Sequence, residues 1–277
     1  MKHLNLISYF GGKYPHLSWL IDKFPKGNFH FVDMMCGSAN VALNVNYPLI
    51  TLNDINDNVI NLFEVLRNQY DEFIRALFFT PFSRTELYKI LDDNENDKSY
   101  GKIEWARRYF VKSRLGYGEN GSQNNHKGAG FEYKIQKSNF YRVDNWNVKL
   151  DKLSQIALKL RSMQIESADV FSLFEKVNKP GSILYFDPPY PLKTRLSKKR
   201  YLHDHEDDFH YKLIKLVKNA HCFVAISTFE NEMYNDLLSD FYKITGSVNK
   251  STISKCPRKE ILFCNYKYSN QITFNLK

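Results

Sequence analysis

"NFHFVDMMCGSANVALNV" (residues 28–45) and "LITLNDINDNVINLFEVLRN" (residues 49–68) together decide the fold. Each opens as a short apolar run, reaches an acid and then turns toward helical periodicity. In the first, the run ends at Asp33, and Cys36-Gly37-Ser38 makes a glycine-containing turn with Ser38 placed as the N-cap of a helix. In the second, a strand ends at Asn53-Asp54, and Val59, Leu62, Phe63 and Leu66 recur at helical spacing. Two strand-to-helix units in succession predict parallel strands in an α/β sheet.

The pattern resumes after residue 148. A helix carries Leu150, Leu153, Ile156, Ala157 and Leu160. A short strand "SMQIES", a helix from Asp169 and the strand "SILYF" then lead to Asp187-Pro188-Pro189-Tyr190. A helix at 206–219, the strand "CFVAIST", a short helix with Met233 and Tyr234, and a strand pair, "FYKITGSV" and "EILFCNY", close the sheet. Between the halves, residues 75–115 read as helical with a polar break at "DDNENDKSYGK". The stretch 116–130 holds five of the chain's 12 glycines, which makes it a long loop.

The 277 residues, 43% hydrophobic, suffice for one large domain with an insertion. No run approaches the roughly 20 apolar residues of a membrane span, and the start lacks the apolar run of a signal peptide. A cytoplasmic protein without membrane contact is expected. Cys36, Cys222, Cys256 and Cys264 show no metal-finger spacing and read as reduced thiols. "HDHE" at 203–206 packs its donors too closely in sequence for good chelation, so no metal is expected. A net charge of +9, from 39 basic and 30 acidic residues, suggests a polyanionic partner such as nucleic acid.

Open α/β sheets bind ligands beyond the carboxyl ends of their strands, where Asp33, Asp54 and Asp187 stand. Asp54 lies about 20 residues after the first turn, the place of an acid that accepts ribose hydroxyls. "DMMCGSAN" lacks the three-glycine pattern that seats a pyrophosphate. A nucleoside without phosphates, such as S-adenosylmethionine, suits it better.

"SYFGGKY" (8–14), "FVDMMCGSANVALN" (31–44), "LNDINDNVINLFEVLRN" (52–68) and "FDPPY" (186–190) resemble, in the same order, the motifs of the Dam-like, alpha-group (D12 class) DNA adenine N6-methyltransferases. "YLHDHEDDFHYKLIKLV", "VAISTFENEMYNDLL" and "CPRKEILFCNY" are similar to the C-terminal segments of the family's phage and mobile-element branch. Residues 76–147 are not covered in detail. The chain departs from the family pattern at Met34, Ala39 and Phe10, where the family commonly has proline, glycine, and proline or alanine.

The resemblance implies a Rossmann-like methyltransferase fold with a mostly parallel seven-stranded sheet ending in an antiparallel hairpin. Residues 1–75 and 148–277 would form the catalytic domain, and 76–147 a helical target-recognition insertion. It implies methyl transfer from S-adenosylmethionine to N6 of an adenine flipped out of double-stranded DNA. Asp187 and the carbonyl of Pro188 would accept the two amine hydrogens, Pro189 would stiffen the turn and Tyr190 would stack on the base. Tyr9, Gly11, Gly12 and Lys13 would line the cofactor site. Asp33, Gly37 and Ser38 would surround the methionine part, Asp54 the ribose and Asp169 the cofactor's adenine. Arg107, Arg108, Lys112, Arg114, Lys127, Lys134 and Lys137 in the insertion, with Lys193 and Arg195 after the catalytic turn, are candidates for phosphate contacts. Lys250 and Arg258 are further ones. A monomer in solution is expected, with a dimer on DNA and a partner restriction endonuclease as further options. The alternatives are an RNA adenine methyltransferase, a protein glutamine methyltransferase, which would carry Asn in place of Asp187, and an inactive DNA-binding regulator.

Overall fold

The structure is a computed structural model that describes residues 3–9, 11–117, 130–131, 152–191, 207–249 and 258–268. Its centre is a seven-stranded sheet. The strands are β1 (His30–Asp33), β2 (Leu49–Asn53), β5 (Met163–Glu166), β6 (Ser182–Phe186), β7 (Phe223–Phe229), β8 (Tyr242–Asn249) and β9 (Arg258–Cys264), in the order β5-β2-β1-β6-β7-β9-β8. The first five strands in that order run parallel. Strand β9 inserts antiparallel between β7 and β8. The chain winds outward one way from β1 through β2 to β5, then crosses to β6 on the other side. The reversal falls between β1 and β6, where an open sheet leaves a crevice at its carboxyl edge.

The period of two in the strands builds two cores. Phe31, Ile183 and Tyr185 point into one, and Val32, Leu184 and Phe186 into the other. All five residues of β6 are buried, as expected of a central parallel strand covered on both faces. On the first face lie α1 (Leu17–Leu20), α2 (Asp57–Asn68), α3 (Tyr70–Phe78), α4 (Arg84–Asp92), α5 (Lys102–Leu115) and α6 (152–161). On the second lie α7 (Val170–Val177), α8 (Asp207–Lys218) and α9 (Glu232–Leu237). Helix α2 starts where the Asn56 side chain accepts the N–H of Asn58, and it buries Val59, Leu62, Phe63 and Leu66, the residues whose spacing predicts it.

The first strand-to-helix unit departs from expectation. No α-helix follows Gly37: the chain makes only a 3-10 turn at Ala42–Asn44. Ser38 caps nothing, its hydroxyl accepting instead from the Asn40 amide. The reason is local backbone geometry, since Gly37 and Ala39 both take positive φ, +47° and +52°. That explains the family's glycine at position 39 and why alanine there carries strain. At Met34 the backbone N–H donates to the Tyr185 carbonyl, a bond that a proline could not make.

Helices α4 and α5 share the first-face core, through Leu87, Ile90, Ala106, Tyr109, Phe110 and Val111. The chain placed in the insertion thus begins as part of the sheet's own packing. Strands β3 (Gly116–Tyr117) and β4 (Gly130–Phe131) pair antiparallel and bring the two ends of the glycine-rich stretch together. Cys36, Cys222 and Cys264 are buried free thiols, and Cys256 lies outside the described residues. Among the described residues no helix is long and apolar enough to cross a membrane.

Candidate active site

The crevice at the β1/β6 switch point is a cleft partly open to solvent, with ≈ 960 Å³ of empty space counting the solvent at its mouth. The nine residues read as cofactor-binding, Tyr9, Gly11, Gly12, Lys13, Asp33, Gly37, Ser38, Asp54 and Asp169, all line it, and so do Asp187, Pro188 and Pro189. Its charged lining among the described residues is four aspartates and one lysine. In a chain of net charge +9, an acidic cleft selects a cationic ligand and disfavours a pyrophosphate.

Individual groups sharpen that selection. Asp33 is buried at the end of β1, and its Oδ1 has no hydrogen-bond partner. Burial, and after it the nearby Asp187 charge, push its carboxyl well above the ordinary range, while the Ala42 backbone pulls it back. Such a group gains from any ammonium that enters. Asp54 is held in one orientation, Oδ2 accepting from the Gly37 N–H at 2.7 Å and Oδ1 from the Asn56 N–H at 2.9 Å. Asp169 caps α7 through one oxygen, Oδ1, which accepts from Phe171 and Ser172. The N-cap role and the cleft-lining role therefore coexist in one residue.

Tyr9 and Gly37 meet face to face. A Cβ built on Gly37 would lie 2.8 Å from the Tyr9 ring, and the positive φ opposes any side chain. Gly37→Ala is accordingly expected to lose about 1–2 kcal/mol of stability. It should also weaken cofactor binding about tenfold by displacing the ring, as calorimetric titration would show. Wild-type affinity in a folded Gly37→Ala protein would contradict the placement of Tyr9 as a wall of the site.

Where the cleft meets the Asp187–Tyr190 turn, the side chains form a tight polar cluster. Lys13, 3% exposed, places its Nζ 2.5 Å from Asp187 Oδ1, 2.8 Å from the Tyr190 hydroxyl and 3.3 Å from Glu260 Oε1. The Ser227 hydroxyl on β7 donates to the same Asp187 Oδ1 at 3.1 Å and shares a 2.8 Å bond with the Tyr185 hydroxyl. Burial acts to lower the Lys13 pKa, but Asp187 and Glu260 outweigh it and hold the ammonium above its usual range. Burial pushes Asp187 up to about 6 against the pull of Lys13. Lys13 therefore touches the Asp187–Tyr190 turn directly as well as lining the cleft.

Tyr190 is placed differently from the other motif residues. Its ring is 6% exposed and stacks on Phe229 at 4.0 Å between centroids, and it does not line the cleft. Glu260, Ser227, Tyr185 and Phe229 do not emerge from the sequence reading. The usable signal for Glu260 was a lone acid heading the apolar run "EILFC".

Four residues read as phosphate contacts turn inward, which corrects that reading. Arg107 is held by Glu86, Glu104 and Thr80. Arg108 and Lys112 are buried around Asp97, and Arg114 donates to the carbonyls of Asn5 and Leu6. The reason is the position of α5, packed against α2, α3 and α4, so that its basic side chains turn to acids and backbone carbonyls of the protein itself. Lys127, Lys134, Lys137, Lys193, Arg195 and Lys250 lie outside the described residues, as do Phe10 and the "HDHE" stretch. The described residues hold no group of three His, Cys, Asp or Glu arranged for a metal.

The family model of the D12 class N6 adenine-specific DNA methyltransferases matches residues 9–269. The chain belongs to this family. Among its relatives, the DNA adenine methylase of Haemophilus influenzae is 23% identical over 95% of this chain and 93% of its own length. A type II methyltransferase of Lactococcus lactis subsp. cremoris is 25% identical over 92% and 93%. The DNA adenine methylase of Salmonella typhi is 26% identical over 79% and 74%. This methyltransferase transfers a methyl group from S-adenosylmethionine to N6 of adenine in DNA. The cofactor, which supplies an electrophilic methyl on a sulfonium, fits the cleft found here, with its acid excess and the unpartnered Asp33 Oδ1.

Proposed function

We propose that the methyltransferase acts at a short sequence in duplex DNA, on an adenine turned out of the stack, with Asp187 and the Pro188 carbonyl as acceptors for the two amine hydrogens. One observation carries this reading. Among the described residues, both hydrogen bonds to the Asp187 carboxylate, from Lys13 and Ser227, fall on Oδ1. The carboxylate is thereby fixed, and Oδ2 is left for a substrate N–H.

The chemistry needs that arrangement. The exocyclic nitrogen of adenine is a poor nucleophile because its lone pair is delocalised into the ring. Two fixed acceptors draw the nitrogen toward a tetrahedral shape and aim the lone pair along the line of transfer, which is catalysis by orientation and preorganised polarity. Two consecutive prolines keep the carbonyl in place and bring no competing N–H. Tyr190, packed on Phe229 and bonded to Lys13, borders the place of the base. Asp33 takes the ammonium of the cofactor's methionine part, Asp54 its ribose and Asp169 its adenine.

Because Asp187 must be ionised to accept, its pKa of about 6 sets an acid limb. The single-turnover rate should be level above about pH 7 and fall roughly tenfold per unit well below 6. A rate independent of pH between 5 and 7 would contradict Asp187 as the acceptor.

Similarity to the type II methyltransferase supports a restriction-modification role with a partner endonuclease, and similarity to the DNA adenine methylases supports one without. The C-terminal motifs support the phage and mobile-element branch. Transfer of labelled methyl to duplex, single-stranded DNA and RNA of matched sequence tests the substrate. Labelled N6-methyladenine in duplex at one short motif is expected, and preferential labelling of RNA would overturn the proposal.

A further inference from the structure

Glu260 is 1% exposed on β9, opposite Phe229 at the carboxyl end of β7. Its Oε1 lies 3.3 Å from Lys13 Nζ, and both oxygens lie 3.3 Å from the Tyr190 hydroxyl, which donates to them. Its Oε2 is 4.0 Å from His16 Nε2. Asp187 already pairs with Lys13 at 2.5 Å, so neutralising the lysine does not require a second carboxylate. With both acids ionised the trio carries a net charge of −1, and burying a surplus charge is costly. An apolar residue would fill the strand position at lower cost.

We propose that Glu260 is a positioning residue for methyl transfer: from β9 it anchors Lys13 and Tyr190, and through Lys13 it sets the placement of the Asp187 carboxylate. The inference rests on the acceptor role proposed for Asp187. Lys13 stands on the segment before α1, while Asp187 and Tyr190 share the turn after β6, two pieces of chain far apart in sequence with no local reason to stay aligned with each other. Glu260 belongs to a strand hydrogen-bonded on both sides and gives them a common rigid anchor.

The shared lysine has an electrostatic consequence. Held by Asp187 alone, the ammonium would draw that carboxylate wholly to itself. Divided between two acids, it orients Asp187 and leaves it more basic, a better acceptor for an amine hydrogen. The groups that face Asp187 are Lys13 and His16 from the N-terminal segment, Asp33 from β1, Tyr185 from β6, Ser227 from β7, Tyr234 from α9 and Glu260 from β9. Glu260 works against Lys13 there, raising the proton affinity that Lys13 lowers.

The test compares wild type with Glu260→Gln, which keeps shape and hydrogen-bonding capacity and removes the charge. Affinity for S-adenosylmethionine by calorimetry should be unchanged, while the single-turnover rate falls about 10- to 100-fold. The acid limb should move to lower pH, because the Glu260 charge, which adds to burial in raising Asp187, is gone. Glu260→Asp keeps the charge but withdraws the oxygens, so its rate should fall with the limb left in place. It supplies the readout if the glutamine variant does not fold. A folded Glu260→Gln with wild-type rate, or with a lowered rate and an unmoved limb, overturns the inference, as does a wild-type rate in Glu260→Asp. A wild type that fails to methylate adenine overturns the Asp187 reading as well, which separates the two failures.

Discussion

Asp187→Asn should reduce the single-turnover rate by at least about 10²–10³-fold while S-adenosylmethionine still binds. The substitution is nearly isosteric, so the turn and its prolines stay in place. What changes is the acceptor: an amide presents one carbonyl oxygen and an NH₂ group, and the oxygen is already claimed by Lys13 and Ser227, which now donate to Asp187 Oδ1. The position that faces the substrate amine then becomes a donor facing a donor. Asp33 and Asp54, proposed to hold the cofactor, are untouched, so calorimetric affinity should stay close to that of wild type. A variant that loses cofactor binding and rate together would mean that Asp187 belongs to the cofactor site.

Lys13→Met should have the largest effect on stability. The ammonium is the one cation among the described residues within pairing distance of both Asp187 and Glu260. Its removal leaves two carboxylates in the interior, a change in the class of broken buried ion pairs. Since the Asp187 side chain is 20% exposed and partly solvated, the low end of that class, about 3 kcal/mol, is appropriate. The pH dependence has a definite sign. Burial already raises both carboxyls, and Lys13 opposes it in both. Without Lys13 both rise further above their unfolded values, so the folded state holds protons that the unfolded chain releases. The deficit against wild type should therefore be greatest above pH 7 and shrink as the pH falls toward 5. Urea unfolding at pH 8 and pH 5 measures it, and equal stability at pH 8 would show that the cluster is not coupled as described.

The parts of this protein legible from sequence are those governed by local pattern. Strands that end on Asp33, Asp54 and Asp187, and helices spaced as in Val59-Leu62-Phe63-Leu66, follow from periodicity and turn chemistry, and the topology then gathers the three acids at one edge. What was not legible depends on partners far apart in the chain. Glu260 meets Lys13 across 247 positions, which no spacing rule can foresee. Arg108 and Lys112 carry the same chemistry whether they face phosphate or a buried acid. Only the packing of α5 against Asp97 decides between the two. Arg107 is the exception, because its pairing with Glu104 lies at i,i+3 on one helix and could have been read directly. The missing helix after Gly37 is illegible for another reason: Ala39 takes a positive φ, and an alanine gives no hint of it.

Mapping of N6-methyladenine at base resolution, in DNA from cells that express the wild-type chain or Asp187→Asn, tests the central claim most directly. The account predicts methylation of one adenine within a single short motif in the first sample and none in the second. Methylation that persists in Asp187→Asn, or that falls on another base, would contradict it.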